Sequence, residues 1–178
     1  MRKKKIFIIL PYKESIDPNS AGAVSIYVKD TSNYSKYKKD IKIISSENFE
    51  KVKIFRNKNY IKNFCNKYKN TKIDIIEIHN RPEYLAYIKK YFPSAKISLF
   101  FHNDPLTLRG SENIDERKYI LSNTNKIIFL SNWIQQMFFY KLKNINLENV
   151  ISLPVGIIKK KNIKLSQKKK EYFICWKA

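Results

Sequence analysis

Glycine is scarce in this chain: its 178 residues hold only three, Gly22, Gly110 and Gly156. The GxGxxG fingerprint that brings a backbone close to a dinucleotide pyrophosphate is therefore missing. Cysteine is just as sparse, with Cys65 and Cys175 far apart and no CxxC spacing. That excludes a disulfide framework or a cysteine zinc site and suits a reducing cytoplasm. The chain has two histidines, His79 and His102. With Asp104 as the one neighbouring acid, they fall short of the clustered ligands that zinc or iron requires, so no metal is expected. No apolar run approaches the length of a membrane span. The start, MRKKKIFIILP, has the basic head and apolar stretch of a secretory signal, but Ile6 to Leu10 is too short for a signal core and stops at Pro11. Ser131 lacks a G-x-S-x-G setting, and RNP, KH and helix-turn-helix patterns are absent, as are internal repeats.

Acidic residues are also in short supply. Lys and Arg number 36 against 15 Asp and Glu, a formal charge of +21. Such an excess suits nucleic acid, an anionic membrane surface or a phosphorylated ligand. Here it is mostly lysine, spread along the whole chain with abundant Asn and Ile, as a composition bias on helix surfaces would be. With no spanning segment, any membrane contact would be peripheral.

What the chain does have is alternation of short apolar runs and amphipathic stretches. Lys5 to Leu10 reads as a first buried strand, followed by a polar loop from Pro11 to Ala21 and, through Gly22, a helix around Val24 to Tyr34. Strand, loop with glycine, then helix is the layout that offers backbone N–H groups to a phosphate, although a lone glycine in a loop is more often a turn residue. Asp40 to Ser45 and Val52 to Phe55 read as short strands. A helix then carries Tyr60, Ile61, Phe64, Cys65 and Tyr68 on one stripe, which places Cys65 in the core. Ile73 to Ile78 and Ile97 to Phe101 are strands buried on both faces. The helix between them starts at Pro82 and repeats Tyr84, Leu85, Ile88, Tyr91 and Phe92. Ser111 to Asn123 reads as a helix with Ile114, Tyr119, Ile120 and Leu121 as its apolar members. Lys126 to Leu130 follows as a strand, then a helix capped by Ser131 and bearing Ile134, Met137, Phe138 and Leu142. Val150 to Leu153 is a last strand, closed by Pro154-Val155-Gly156.

This order predicts an α/β fold, a doubly wound and mostly parallel sheet of about seven strands, Rossmann-like, over residues 1–158. Residues 159–170 read as a basic linker and 171–178, with the run EYFICW, as the start of a further domain. The strands ending at His79 and His102 should release His79-Asn80-Arg81 and His102-Asn103-Asp104 at one sheet edge. Setting the first strand beside the one ending at His79 makes a topological switch point, flanked by the Gly22 loop, where open parallel sheets bind ligands. Asn80, Asn103 and Asp104 can bond to sugar hydroxyls, Arg81 can grip a phosphate or carboxylate, and either histidine can donate or accept. Each histidine could equally be structural, bonded to a nearby carbonyl. Glu83 reads as a helix-start acid and Arg109 as a solvated loop residue.

The run DIIEIHNRP from Asp74 to Pro82, SLFFHND from Ser98 to Asp104, KIIFLS from Lys126 to Ser131 and VISLPVGI from Val150 to Ile157, after a first strand and the Gly22-Ala23 loop, together resemble the N-terminal domain of glycosyltransferase family 4. The resemblance spans Lys5 to Ile158. It implies one half of a GT-B enzyme, a retaining transferase that moves a hexose from a nucleotide sugar to a saccharide or lipid-linked acceptor in cell-surface polysaccharide or lipopolysaccharide synthesis. The nucleotide sugar would be a co-substrate, with no cofactor. By the same resemblance His102 would face the transferred sugar as the catalytic residue and Gly22 would approach the donor diphosphate. His79, Asn80, Arg81, Asn103, Asp104 and Ser131 would line the substrate crevice. Val155 and Ile158 stand where the family has Asn and Asp in its PNG(I/V)D segment. The family holds its donor mainly with a C-terminal domain, through a basic pair and an ExxxxxxxE motif, and this chain stops where that domain would begin. The expected partners are therefore a nucleotide-sugar donor, an acceptor, the anionic inner face of the cytoplasmic membrane, and a C-terminal half, which a separate chain could supply. Nucleic acid is not expected. The rival readings are a non-catalytic or regulatory remnant of the fold and a basic nucleic-acid-binding protein using its 12 tyrosines.

Overall fold

A computed structural model of the protein describes residues 3–46, 57–143, 145 and 147–154. The expected strand at 52–55, the segment from Val155 through the basic linker to EYFICW, and Cys175 lie outside the described residues. Among those described, strands β1 (Ile6–Ile9), β2 (Ile41–Ile44), β3 (Ile75–His79), β4 (Lys96–Phe101), β5 (Lys126–Phe129) and β6 (Val150–Ser152) form one sheet in the order β2-β1-β3-β4-β5-β6. Every pairing is parallel. The sheet thus has six strands where about seven were expected.

Among the described residues five α-helices connect the strands: α1 (Ala23–Tyr34), α2 (Asn57–Tyr68), α3 (Leu85–Tyr91), α4 (Ile114–Asn123) and α5 (Asn132–Phe139). The chain leaves β1 to one side through α1 and returns through α2 to its other side, so β1 and β3 bracket a switch point. Side chains alternate between sheet faces, and the packing divides accordingly. Ile6, Ile8 and Leu10 pack against Val24 and Val28 of α1. Phe7, Ile9, Ile76, Ile78, Leu99 and Phe101 point the other way and meet the buried residues of α2 to α5. All four β1 residues are buried, because helices cover both of its faces. That is the burial expected of a doubly wound sheet, and it explains why the strands read as continuous apolar runs.

Local chemistry sets the helix ends. Ser131 caps α5, its Oγ accepting from the Ile134 N–H at 3.2 Å. The stretch after Gly110 begins its helix later than the expected Ser111. Asn113 and Glu116 make a reciprocal capping box, which starts α4 at Ile114. Ser111 instead is buried in the preceding loop, where its Oγ donates to the Pro105 carbonyl at 2.6 Å. The α4 register also differs from the apolar reading: Ile120 and Arg117 face inward, whereas Ile114 and Tyr119 are exposed. Arg117 turns inward because its Nη2 donates to the Tyr140 carbonyl at 3.0 Å. The expected α5 member Leu142 falls beyond that helix, past Lys141, whose backbone takes a positive φ of 61°. Cys65 is fully buried on α2, and burial pushes its thiol up to about 12. It is a core residue, as its stripe implied.

Candidate functional site

The strand-end residues meet as the topology requires. β3 and β4 are adjacent and parallel, with His79 opposite Phe100, so Asn80 after β3 and His102 after β4 emerge at the same sheet edge. His79 Nδ1 lies 2.9 Å from His102 Nε2, joining the two segments through their side chains. Asn80 joins them through its amide. Its Oδ1 accepts from the backbone N–H groups of His102 and Asn103, both at 3.3 Å, and its own N–H donates to the Phe100 carbonyl at 2.8 Å. Asn80 has a φ of 55°, a left-handed conformation that asparagine tolerates better than most residues. It is buried and committed to these bonds. Its role is to fix the two loops, and its Oδ1 is not spare for a ligand.

Two residues not anticipated from the sequence complete the walls. Tyr27 of α1 sets its ring 5.1 Å from His102 and 6.2 Å from His79. Phe100 stacks on His79 at 4.3 Å between centroids and 13° between planes. His79 is almost fully buried, its Nε2 lacks a hydrogen-bond partner, and that nitrogen lies 3.7 Å from Glu77 Oε2. At that distance the contact is electrostatic and not a hydrogen bond. Burial depresses the His79 imidazole below its ordinary range, and the Glu77 carboxylate opposes that shift only in part. His102 is pushed down to about 3, by burial first and by His79 second. Both rings are therefore neutral at pH 7. Glu77 could have been noticed in the sequence: it is the one charged residue inside the run IIEIH, two positions before His79 and so on the same face of β3.

Other anticipated residues take more local roles. Gly22 is the N-cap of α1 in an extended conformation, with φ −83°. Its lack of a side chain serves close approach: a Cβ there would come within 2.5 Å of the Glu14 carboxylate. That carboxylate accepts from Ser25 N at 3.2 Å and Ser25 Oγ at 2.7 Å. The helix N-terminus thus already carries an internal anion, and an incoming phosphate would have to displace or share it. Arg81 is half-buried and curls back, with Nη1 donating to the Asn80 carbonyl at 2.9 Å and Nε 4.0 Å from Glu83. Asp104 caps a short turn by accepting from Leu106 N at 2.9 Å. Asn103 and Arg109 are exposed, Ser131 caps α5, and the Glu83 backbone is approached so closely by Gly110 that a Cβ there would sit 2.7 Å from its nitrogen.

A groove of about 240 Å³ runs along the α1 face of the sheet past Ile8, Tyr27, Glu77, His79, Phe100 and Leu153. Larger hollows of about 690 and 550 Å³ lie beside α4. Neither contains a histidine; of the polar strand-end residues His79 borders the smaller groove, whereas His102, Asn103 and Asp104 are not part of its lining. Among the described residues no set of three or more His, Cys, Asp or Glu is gathered as a metal site, and no helix is long and apolar enough to cross a membrane.

No protein-family model matches the chain, and no curated protein matches it in sequence. Fold and site define its class: a Rossmann-like α/β domain whose parallel sheet carries paired histidines at its carboxyl edge.

Proposed function

We propose that this chain is the acceptor-side, N-terminal half of a retaining glycosyltransferase. In this reading it works with a nucleotide-sugar donor and a saccharide or lipid-linked acceptor, in the synthesis of cell-surface polysaccharide or lipopolysaccharide. One observation carries the proposal: the ends of β3 and β4 are stitched together through His79–His102 and Asn80, beside the switch point, under Tyr27 of α1. A neutral imidazole flanked by exposed asparagine and half-buried aspartate suits hydroxyl-rich ligands better than a bare anion would. In this reading His102 touches substrate, with Asn103 and Asp104 beside it in sequence and Ser131 at the next strand end. The internal Glu14 carboxylate at α1 argues that diphosphate binding relies mainly on another domain, which fits a two-domain enzyme. Catalysis by stabilising a departing diphosphate needs cationic or N–H donors at that group. The lysine excess would let such an enzyme rest on anionic lipid at the inner membrane face.

Chemical-shift mapping on the full chain, with a panel of nucleotide sugars and saccharides, tests the reading. Perturbations are expected at Tyr27, His102, Asn103 and Asp104, without turnover by this chain alone. Silence at those residues under saturating ligand, or shifts confined to the α4 hollows, would overturn it.

A further inference from the structure

Two neutral imidazoles that share one hydrogen bond must agree on its direction, because each ring has a single N–H. Between His79 Nδ1 and His102 Nε2, 2.9 Å apart, only two arrangements exist. If His79 donates from Nδ1, its Nε2 becomes a bare lone pair, buried, with Glu77 Oε2 3.7 Å away. Two electron-rich groups would then oppose each other, with the imidazole nitrogen buried and the carboxylate partly exposed. If His79 instead holds its proton on Nε2, the N–H dipole points at the carboxylate. Nδ1 then accepts from His102 Nε2–H, and His102 is left with a lone pair on Nδ1. Low local dielectric magnifies the difference between the two. The remaining neighbours, the Phe100 ring stacked on His79 and the Tyr27 ring edge against His102, bring no competing charge.

We propose that Glu77 and His79 are positioning residues that fix the proton of His102 on Nε2 and present its Nδ1 as a hydrogen-bond acceptor at the carboxyl edge of the sheet. Among the described residues His102 Nδ1 has no hydrogen-bond partner, and the residue is only partly buried. Such a nitrogen takes an O–H or N–H from a ligand and repels a phosphate oxygen. The proton arrangement stands without the glycosyltransferase reading; only the identification of the ligand group as a sugar hydroxyl rests on it.

Ring ¹⁵N NMR of the full chain at neutral pH, without ligand, reads the arrangement directly. Both histidines are expected to show a protonated Nε2 and a bare, strongly downfield Nδ1. A protonated Nδ1 on either ring would overturn the proposal, whatever a later activity assay finds. Glu77→Lys places an ammonium where the carboxylate stood and is expected to reverse both rings to the Nδ1–H form. Glu77→Ala, the milder change, is expected to replace the single form with a mixture of the two. A folded Glu77→Lys or Glu77→Ala protein with the wild-type ring spectrum would show that Glu77 does not set the direction.

Discussion

At the scale of single residues, the site is built from groups whose ordinary behaviour has been altered by burial. His79 sits among Phe100, Tyr27 and β-strand side chains, and His102 is held against it, so protonating either ring would place charge where water has been removed. A histidine depressed in the folded state binds fewer protons than in the unfolded chain between its two pKa values. For His102 that window runs from the ordinary value near 6.5 down to about 3. Stability should therefore be intact above pH 6.5 and decline as pH falls through the window, since the unfolded state gains protons first. An NMR titration is expected to find His102 still neutral at pH 5, about where an unperturbed histidine is already mostly charged. A midpoint near 6.5 would show that the ring is solvated and the site open to water. Asn80 works at the same scale by other means: its left-handed backbone and its Oδ1 together hold two loops that are 22 residues apart in sequence.

At the scale of elements, caps and close contacts decide where helices begin. The Asn113–Glu116 box satisfies backbone N–H groups that would otherwise be orphaned at the start of α4, and Ser131 does the same for α5. Asn113→Ala should lower stability by about 1 kcal/mol, measured by urea unfolding. An unchanged midpoint would mean that the α4 end is held by packing alone. The order of elements was readable because most strands in this fold are short, largely apolar runs and most helices carry an amphipathic repeat. The α4 register was not, because Arg117 is buried through a carbonyl 23 residues away and a hydrophobic stripe cannot announce such a partner. Tyr27 was missed for a related reason: on α1 it reads as one more helix aromatic, and only the placement of α1 over the β3 end turns it toward the histidines.

At the scale of the whole molecule, charge is the dominant fact. A formal +21 on 178 residues repels itself in the folded state more than in the expanded chain. The described lysines are mostly exposed, so salt screens them over a length of about 10 Å at 0.1 M. Raising sodium chloride from about 0.05 M to about 0.5 M should therefore increase the thermal midpoint. A midpoint that stays flat or falls would show that compensating ion pairs already offset the repulsion. Against this background the sheet is ordered by apolar burial, with Ile9, Ile76, Ile78, Ile97, Leu99 and Phe101 all fully enclosed between layers.

The sequence by itself determined the alternation of strands and helices, the parallel two-layered wrapping of the sheet, and the edge at which His79 and His102 emerge. Those follow from side-chain periodicity and connection length, which are local properties of the chain. Tertiary structure alone decided what the edge residues do once there. Asn80 and Arg81, plausible ligand contacts on paper, turn the Asn80 Oδ1 and the Arg81 Nη1 to the protein's own backbone. Glu77, unremarked in its strand, lies against a buried imidazole. Whether a polar group is spare for a ligand depends on which partners folding brings within 3 Å or so, and that distance is set by packing between segments far apart in sequence.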